Sequence, residues 1–389
     1  MRADLETIFR AGVAACRPER VLPAHLPSFE GRVFILALGK SAAAMARVAE
    51  THYRGQAEGL AVSPYGVADA LERVELIHSG HPLPDEASLA AAERLLELAS
   101  GAGADDLVLV LLSGGASSLA CLPSEGLSLS GKRALTEKLL RSGAEIGEIN
   151  CVRRHLSRFK GGRLALAARP ARLLALAISD VAGDLPADIG SGPTVADPTT
   201  VNDAEAVLRR YGLEAPAAAW SETPKQVDSD FRIVARPADA IAAAAREALR
   251  LGYCPVPLGE CRGEARAVGH AHAELALEAE PGSALISGGE LVVRVTGAGT
   301  GGRNHEYALA AALRLGGAPG IAGLAADTDG IDGNSGAAGA FFGGEVGKGA
   351  AAALEGNDSG GYFARSGGQF ATGPTGTNVN DLRIILIAP

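Results

Sequence analysis

Residues 107–118 combine a continuous apolar run with a glycine and serine turn, and this combination limits the possible folds more than any other stretch. The run Leu-Val-Leu-Val-Leu-Leu ends at Leu112 and is followed by Ser-Gly-Gly-Ala-Ser-Ser. An apolar run without polar alternation predicts a strand that is buried on both faces, as in a parallel sheet. Ligands of open parallel sheets bind at the carboxyl ends of the strands. Because glycine lets a ligand approach the backbone closely, the turn is a candidate anion site, although an ordinary strand-to-helix connection is the simpler interpretation.

Length and charge restrict the class of protein. A chain of 389 residues is long for a single hydrophobic core, so two domains are expected. A formal net charge of −9 disfavours nonspecific binding to nucleic acid. The five cysteines have no metal-binding spacing and are expected to be reduced thiols, and no apolar run reaches the ~20 residues needed to span a bilayer. We therefore expect a soluble, cytoplasmic protein without nucleic-acid or membrane partners.

A second apolar run, residues 32–38, is followed by Gly39, Lys40 and Ser41 at the start of an alanine-rich helix. This order is similar to the end of a phosphate-binding P-loop, but Phe34 stands where the P-loop has its first glycine. A lysine in such a turn lies at the ligand-binding edge of the sheet, near the positive end of the helix dipole. Lys40 is therefore as consistent with phosphate binding as with a solvated surface lysine.

A third run, residues 173–178, leads into a long loop with four aspartates. Long loops without periodicity inside a compact domain are usually functional or disordered. Asp180 comes directly at the strand end, where a carboxylate can hold Mg²⁺ or accept a proton, and Asp184 is a second candidate ligand. Asp188 and Asp197 are expected to cap turns.

Residues 150–163 concentrate basic side chains in a protein of negative net charge. The Arg and Lys residues of this segment are Arg153, Arg154, Arg158, Lys160 and Arg163. Such a run usually forms a solvated helix face. One or two of these residues could instead provide positive charge for a phosphate, and Arg154 is the candidate for substrate binding.

Two histidines, His78 and His81, lie three residues apart in a proline-containing segment before Asp85. The prolines prevent a shared helix face, so turn histidines with structural hydrogen bonds are expected, not metal ligands. Asp85 is expected to cap a helix that ends at Ser100.

The second half repeats the order of strand, glycine turn and helix. A strand predicted at residues 291–296 leads into the loop Gly-Ala-Gly-Thr-Gly-Gly, which Arg303 and Asn304 follow at the start of a helix. The glycine spacing matches the fingerprint of dinucleotide-binding loops, which makes an NAD(P)-dependent enzyme an alternative. A cation in the first turn of a helix is unfavourable unless an anion compensates it. Arg303 is therefore better explained as a clamp on a phosphate or a carboxylate.

Taken in order, the motifs of the chain resemble the class II glycerate kinases, also called the MOFRL family. The resemblance covers nearly the whole chain, and it departs from the family pattern at Ala116 and Leu291. It rests on the motifs Gly39-Lys-Ser41, Gly80-His-Pro-Leu-Pro-Asp85, Ser113-Gly-Gly115, Asn150 with Val152-Arg-Arg-His-Leu-Ser157, Lys160-Gly-Gly-Arg-Leu164, Ile178-Ser-Asp-Val-Ala-Gly-Asp184, Ser191-Gly-Pro-Thr194, Asp197-Pro-Thr199, Gly299 to Asn304, Asp327-Thr-Asp-Gly-Ile-Asp-Gly333 and Gly373 to Asp381.

The resemblance implies an α/β protein with two domains. Residues 1–230 are expected to form a Rossmann-like, doubly wound domain with a mostly parallel sheet, and residues 231–389 a smaller α/β domain of the MOFRL type. The polar, proline-rich stretch 214–230 is the predicted connection. The active site is expected in the cleft between the domains.

The activity implied by the resemblance is the ATP-dependent phosphorylation of D-glycerate to 2-phosphoglycerate with Mg²⁺ as the metal. The alternative is an NAD(P)-dependent hydroxypyruvate reductase, a name that relatives have also carried. The expected partners are the small molecules glycerate and ATP, and a homodimer is left open.

The candidate site residues follow from the turns and the resemblance together. The candidate catalytic residues are Lys40, Arg303 and Asp180. The candidate Mg²⁺ ligands are Asp180 and Asp184, and the candidate substrate-binding residues are Arg303, Arg154 and Asn304. The candidate nucleotide- and phosphate-binding residues are Gly39, Ser41, Ser113, Gly114, Gly115, Ser117, Ser118, Gly299, Gly301 and Gly302.

Overall fold

The computed structural model describes residues 1–67, 69–214 and 220–389. Its strands are β1 (Val33–Leu38), β2 (Ala57–Pro64), β3 (Val74–Ser79), β4 (Leu107–Leu112), β5 (Arg172–Ile178), β6 (Asp230–Ala235), β7 (Cys254–Glu260), β8 (Ser283–Gly289), β9 (Ile321–Asp327), β10 (Gly339–Gly343), β11 (Gln369–Phe370) and β12 (Asp381–Ile387). Its helices are α1 (Arg2–Ala15), α2 (Pro18–Val21), α3 (Ala42–His52), α4 (Glu86–Ser100), α5 (Ala116–Leu119), α6 (Leu129–Arg141), α7 (Ile146–His155), α8 (Arg163–Ala167), α9 (Val201–Arg210), α10 (Pro237–Arg250), α11 (Ala265–Glu278), α12 (Arg303–Leu315), α13 (Ala350–Glu355) and α14 (Ser359–Ser366).

The apolar run at residues 107–112 is β4, an inner strand of a six-stranded sheet. The strand order is β3-β2-β1-β4-β5-β6, and the pairs among the first five of these strands are parallel. Every residue of β1 and β4 is buried, as expected for central strands of a parallel sheet. This order is that of Rossmann-type sheets, in which the winding reverses between the first strand and the fourth. The predicted α/β fold class is confirmed.

The register of this sheet brings the carboxyl ends of three strands to one edge. Leu38, the last residue of β1, pairs with Leu112, the last residue of β4. Leu112 also pairs with Ala177 near the end of β5. The turns that follow these strands therefore begin side by side, where the reversal of winding opens a crevice for ligands.

The second sheet has six strands in the order β11-β10-β9-β12-β8-β7 and is mixed. Strand β12 runs antiparallel to β8 and to β9, whereas β7 and β8 are parallel. Asp381, the first residue of β12, lies opposite Gly289 at the end of β8 and opposite Asp327 at the end of β9. Antiparallel pairing thus brings the start of β12 and the ends of β8 and β9 together at one edge of the sheet.

The described residues divide into two compact units. One unit is Val21–Val234, and the other combines Met1–Arg20 with Ala235–Pro389. Helix α1 belongs to the second unit because its apolar face shares a core cluster with residues of α10 and β12. The sequence-based division at residue 230 put the first 20 residues in the other domain.

The helix start at Asp85 is confirmed. The Ser88 N–H donates to Asp85 Oδ1 at 3.0 Å, and the Asp85 N–H donates to Ser88 Oγ at 3.1 Å. This reciprocal pair satisfies backbone groups that the helix itself leaves unpaired. Helix α4 then ends at Ser100, as predicted.

The strand predicted at residues 291–296 is wrong. Of this segment, Val292 alone is recorded in a bridge, with Glu264. Asn357 Oδ1 accepts hydrogen bonds from the N–H groups of Thr296 at 2.8 Å and of Gly297 at 2.9 Å. A side chain therefore satisfies backbone groups that a neighbouring strand would have paired.

The predicted connection at residues 214–230 lies partly outside the described residues, at positions 215–219. From Asp230 the chain enters β6, the last strand of the first sheet. All five cysteines are free thiols. Within the described part of the chain, no helix is long and apolar enough to cross a bilayer.

Candidate active site

The turns after β1 and β4 are joined by hydrogen bonds. The Lys40 N–H donates to the Gly114 carbonyl at 2.8 Å, and the Ser41 N–H donates to Ser113 Oγ at 3.0 Å. The Ser113 N–H donates to the Leu38 carbonyl at 2.9 Å. The two predicted turns therefore form one surface at the reversal point of the sheet.

Gly39 allows the two turns to approach this closely. Its φ is +128°, a conformation that side chains other than glycine rarely adopt. A Cβ built on Gly39 would lie 2.2 Å from Ser113 Oγ and 2.6 Å from the Ser113 carbonyl oxygen. Both the backbone angle and the space require glycine here.

We expect Gly39→Ala to lower the free energy of unfolding by about 1–3 kcal/mol, because it adds a clash to a strained backbone. The measurement is urea unfolding followed by circular dichroism. Gly55→Ala is the matched control, since Gly55 also has a positive φ, +89°, but has no neighbouring atom within 4 Å of its Cβ position. An equal loss of stability in both variants would contradict the proposed clash with Ser113.

Three polar groups of these turns have no recorded partner among the described residues. No acceptor is recorded among the described residues for the N–H groups of Gly114 and Gly115. Ser41 Oγ is buried and also has no hydrogen-bond partner in the described part of the chain. Buried polar groups without partners are rare, and successive free N–H groups bind anions. The surface formed by the two turns therefore suits a phosphate.

His81 reaches the same turn from the segment after β3. A Cβ built on Gly115 would lie 2.8 Å from Cδ2 and 3.0 Å from Nε2 of the His81 ring. The prediction of a turn histidine did not place this ring at the turn after β4. The sequence did hold a signal for this placement, because His81 comes just after a strand of the same parallel sheet and should lie at the same edge as the other turns.

A chain of polar side chains supports the turn from the other side. Ser117 Oγ lies 2.8 Å from Ser191 Oγ, and Ser191 Oγ donates to Asn150 Oδ1 at 3.0 Å. Asn150 Nδ2 donates to Asp188 Oδ1 at 3.1 Å. Ser191 is fully buried with a φ of +61°, a strained conformation that persists only where the surroundings hold it. Sequence reasoning missed Asn150 and Ser191 as site residues, since only their membership in family motifs marked them.

The remaining serine of the turn has a local partner. Ser118 is buried, and its Oγ donates to the Gly115 carbonyl at 3.0 Å. This bond stabilises the turn itself. The prediction that Ser118 binds phosphate stays a prediction.

Asp180 lies at the same edge of the sheet, two residues beyond the end of β5. Asp184 follows in the same loop, and both residues are partly exposed. No group of three or more His, Cys, Asp or Glu side chains that suits a metal occurs among the described residues. Mg²⁺ is commonly held by one or two carboxylates together with substrate phosphates, so the chemistry of two aspartates at the edge of the sheet that carries the two turns fits that ion.

Arg154 is buried and paired with carboxylates of the aspartate loop. Its Nε lies 2.9 Å from Asp197 Oδ2, and its Nη1 lies 3.3 Å from Asp188 Oδ1 and donates to the Ala187 carbonyl at 3.0 Å. Burial alone would raise the pKa of Asp197, but hydrogen bonds from Thr199 and the charge of Arg154 hold it below its usual value. These contacts make Arg154 a support for the loop, and its predicted contact with substrate stays a prediction.

Arg303 is at the polar edge of the second sheet, within the other unit. Its Nε donates to Asp381 Oδ1 at 2.8 Å, its Nη2 to Asp327 Oδ2 at 2.7 Å and its Nη1 to Glu290 Oε1 at 2.7 Å. Burial would lower the pKa of Arg303, but the three carboxylates outweigh that effect and raise it. Asn304 Nδ2 donates to Asp381 Oδ1 at 2.7 Å, so the candidates Arg303 and Asn304 converge on one carboxylate.

A buried arginine completes this cluster. Arg383 Nη2 donates to Asp381 Oδ2 at 2.7 Å and to the Gly289 carbonyl at 2.7 Å. Burial would raise the pKa of Asp381, but the charges of Arg303 and Arg383 hold it below its usual value. Arg383 was missed because its strand pattern is apolar and nothing local indicates a buried cation.

The glycines of the loop before α12 are explained by contacts with the protein itself. A Cβ on Gly299 would lie 2.5 Å from the Asp358 nitrogen, and one on Gly302 would lie 2.4 Å from Asp332 Oδ1. The Gly301 N–H donates to Asn334 Oδ1 at 2.8 Å. These three glycines line a cavity of ≈ 350 Å³. A dinucleotide-binding fingerprint should follow a strand, and residues 291–296 do not form one. This loop therefore gives little support to an NAD(P)-dependent enzyme.

Comparisons with known proteins agree with the resemblance found in the sequence. Residues 4–222 match a family described as a domain of unknown function, DUF4147, and residues 283–381 match the MOFRL family. A D-glycerate 2-kinase from Thermotoga maritima is 40% identical over 98% of this chain and 97% of its own length. A relative from Agrobacterium vitis with the provisional name hydroxypyruvate reductase is 44% identical over 99% of this chain and 94% of its own length. The crystal structure of a glycerate kinase from Thermotoga maritima superimposes with a TM-score of 0.88 at 39% identity and covers 98% of both chains.

Proposed function

Since the chain belongs to the glycerate kinase family that combines a DUF4147 domain with a MOFRL domain, we propose that it phosphorylates D-glycerate with ATP and releases 2-phosphoglycerate. The observation that carries the proposal is the surface formed by the turns after β1 and β4. It offers the N–H groups of Gly114 and Gly115, which have no recorded acceptor in the described ranges, at the ligand-binding edge of the sheet, and Lys40 lies in the adjoining turn.

The reaction requires positioning and neutralisation of charge. The hydroxyl oxygen of glycerate attacks the γ-phosphorus, the bond to the bridging oxygen breaks, and ADP leaves. In our proposal the Gly114 and Gly115 N–H groups hold phosphate oxygens and Lys40 neutralises charge on the transferred group. Asp180 accepts the proton of the hydroxyl group or holds the metal.

Asp180 and Asp184 are the residues that would hold Mg²⁺. Their carboxylate oxygens are the hard donors that this ion prefers, and the turn beside them suits the phosphates that would complete its coordination. The bound ion would supply neutralisation of the phosphate charge. Orientation of the glycerate hydroxyl and acceptance of its proton remain tasks of the protein.

Two of the five N–H groups of Arg303 have no recorded acceptor among the described residues. Arginine has five N–H donors. In Arg303 the Nε–H donates to Asp381, one Nη2–H donates to Asp327 and one Nη1–H donates to Glu290. We propose that the remaining pair, one on Nη1 and one on Nη2, contacts the glycerate carboxylate. The carboxylate cluster then fixes the direction in which this pair points.

The hydroxypyruvate reductase alternative rests on the name of a close relative. The contacts of the loop before α12 argue against it, because the glycines of that loop pack on Asp358, Asn334 and Asp332, where a fingerprint loop would leave them open to a pyrophosphate. The kinase is therefore the better supported function.

One assay separates these functions. We expect ADP release that requires both D-glycerate and Mg²⁺, and a phosphorus NMR spectrum in which the product phosphate is coupled to a single proton, as at carbon 2. Coupling to two protons would identify 3-phosphoglycerate. Consumption of NADPH with hydroxypyruvate, in the absence of ADP release with glycerate, would contradict the proposal.

A further inference from the structure

Lys160 lies directly behind the turn after β4. Its side chain is among the largest that are fully buried, and Lys160 is 1% exposed. Its Nζ donates to the Ser117 carbonyl at 2.8 Å and to the Ala120 carbonyl at 2.9 Å. Ser117 lies in the short helix α5 that follows the turn, and Ala120 comes directly after that helix. One buried ammonium group therefore fixes the position of α5, the helix that directly follows Gly114 and Gly115.

The charge of Lys160 has no counter-ion within 4.0 Å in the part of the chain that the structure describes. Among the residues that the structure describes, no carboxylate oxygen is recorded within 4.0 Å of Lys160, Lys132 or Arg153. The groups that face Lys160 are Cys121 after α5, Lys132 on α6 and Arg153 on α7. Burying an ammonium group without a counter-ion is costly, so an anion nearby would be favourable.

Burial lowers the pKa of Lys160 to about 7, and the positive charges of Lys132 and Arg153 act in the same direction. Burial also lowers the pKa of Lys132 to about 8. Lys132 is a useful comparison because its Nζ likewise donates to backbone carbonyls, those of Leu156 and Arg153, which are not part of the turn.

We propose that Lys160 is a positioning residue whose buried ammonium group holds the Ser113–Ser118 turn in the shape that receives nucleotide phosphates, and whose charge is compensated when those phosphates bind. The proposal rests on the proposed function for the identity of the nucleotide. It adds a residue that contacts the protein alone and links phosphate binding to the uptake of a proton. The lowered pKa of Lys160 predicts that the unliganded protein loses this proton as the pH rises above neutral, and that phosphate binding at higher pH then takes up a proton.

The direct test is the affinity for ADP by calorimetry, which needs no turnover. We expect Lys160→Met to weaken ADP binding by about 10-fold or more, since it removes a charged hydrogen bond donor to the turn. Between pH 7.5 and 9.0 the wild type should lose affinity by up to about 10-fold per pH unit. Lys160→Arg, which stays protonated, should bind ADP with a much smaller dependence on pH.

Lys132→Met is the matched control. At pH 7.5 it should bind ADP at least as well as the wild type, and its loss of affinity should begin at a higher pH because a neighbouring positive charge has been removed. A merely structural lysine would not produce this shift. The proposal is overturned if the wild type and Lys160→Arg have the same pH dependence, if Lys160→Met and Lys132→Met weaken binding equally, or if the wild type does not bind ADP.

These measurements distinguish a failure of the proposed kinase reaction from a failure of the proposed role of Lys160. ADP binding with the expected pH dependence, but no ADP release with glycerate, would reject the proposed kinase reaction and retain the role of Lys160. Turnover of glycerate without effects of Lys160→Arg on the pH dependence would retain the reaction and reject the role of Lys160.

Discussion

Lys40→Ala is expected to lower kcat for phosphoryl transfer from ATP to glycerate by about 100-fold or more. Lys40 follows β1 at the point where the winding of the sheet reverses, and its backbone holds the turn that carries Gly114. Its ammonium group would counter charge that is redistributed in the transition state, so kcat should fall more than the KM for glycerate rises. Steady-state kinetics with both substrates varied measures the two effects.

The matched control for Lys40 is Lys138→Ala, because Lys138 is an exposed lysine of α6 in the same unit. It removes one positive charge without touching the turns, so its kcat should equal that of the wild type. If Lys40→Ala keeps kcat within about threefold of the wild type, the lysine does not act on the transferred group and the proposed site needs another cation.

Arg303→Met is expected to lower the free energy of unfolding at pH 7 by about 3–5 kcal/mol and to abolish most of the activity. The substitution removes one of the two arginines that pair with Asp381 and the arginine that donates to Asp327, and both carboxylates are almost fully buried. Arg303→Lys should be intermediate, because an ammonium group keeps the charge but cannot reproduce the fork of three contacts. Urea unfolding and steady-state kinetics on the three proteins provide the measurements.

The destabilisation caused by Arg303→Met should itself depend on pH. In the wild type the pKa of Asp381 is held below its usual value, so its contribution to stability is present above pH 3.8 and is lost as the pH falls through the lower, folded-state pKa. In the variant these carboxylates have lost one cation and protonate more readily, and protonation removes part of the excess negative charge. The stability difference between variant and wild type should therefore be smaller at pH 4 than at pH 7.

A surface pair of the same unit provides the control for Arg303. Arg365 Nη2 lies 2.8 Å from Asp358 Oδ2, and the Arg365 side chain is 65% exposed. Arg365→Met should cost at most about 1 kcal/mol, because exposed ion pairs contribute little. If Arg303→Met cost no more than Arg365→Met, the carboxylate cluster would not depend on Arg303.

The parts of the fold that could be predicted from sequence are those with a strong local signal. The runs that became β1 and β4 are apolar throughout, which identifies strands buried on both faces. The turns after them could be placed at one edge because parallel strands share the direction of their carboxyl ends. The sequence alone therefore predicted that one edge of the sheet carries Lys40, Ser113 and Asp180. This prediction did not require the contacts between them.

Edge strands and irregular segments gave weaker signals. Strand β7 contains Pro255 and Pro257, which argue against a strand, but it lies at the edge of its sheet, where proline is tolerated. Residues 291–296 have the composition of a strand, and a side chain distant in sequence, Asn357, pairs with their backbone. No residue within 291–296 indicates that Asn357 will be the hydrogen-bond partner.

Buried polar partners were the least accessible to prediction. Lys160 and Arg154 belong to a run of cations that usually forms a solvated face, yet both are buried. Their burial depends on carbonyls and carboxylates that other elements bring to them. Ser191 likewise gains its role from Ser117 and Asn150, which approach it only in the folded unit.

Helix α1 has a consequence for how this protein is made. The Thr377 hydroxyl donates to the carbonyl of Cys16, directly after α1, at 2.7 Å across 361 residues, so part of the surroundings of α1 is synthesised long after the helix itself. At a synthesis rate of about 5–20 residues per second, this wait is on the order of 20–70 s. The unit Val21–Val234 is continuous and is complete before those partners are synthesised. Until α10 and β12 are synthesised, the apolar face of α1 lacks the neighbours that cover it in the folded protein, so a chaperone that shields this face would protect a unit whose other elements are still to be made.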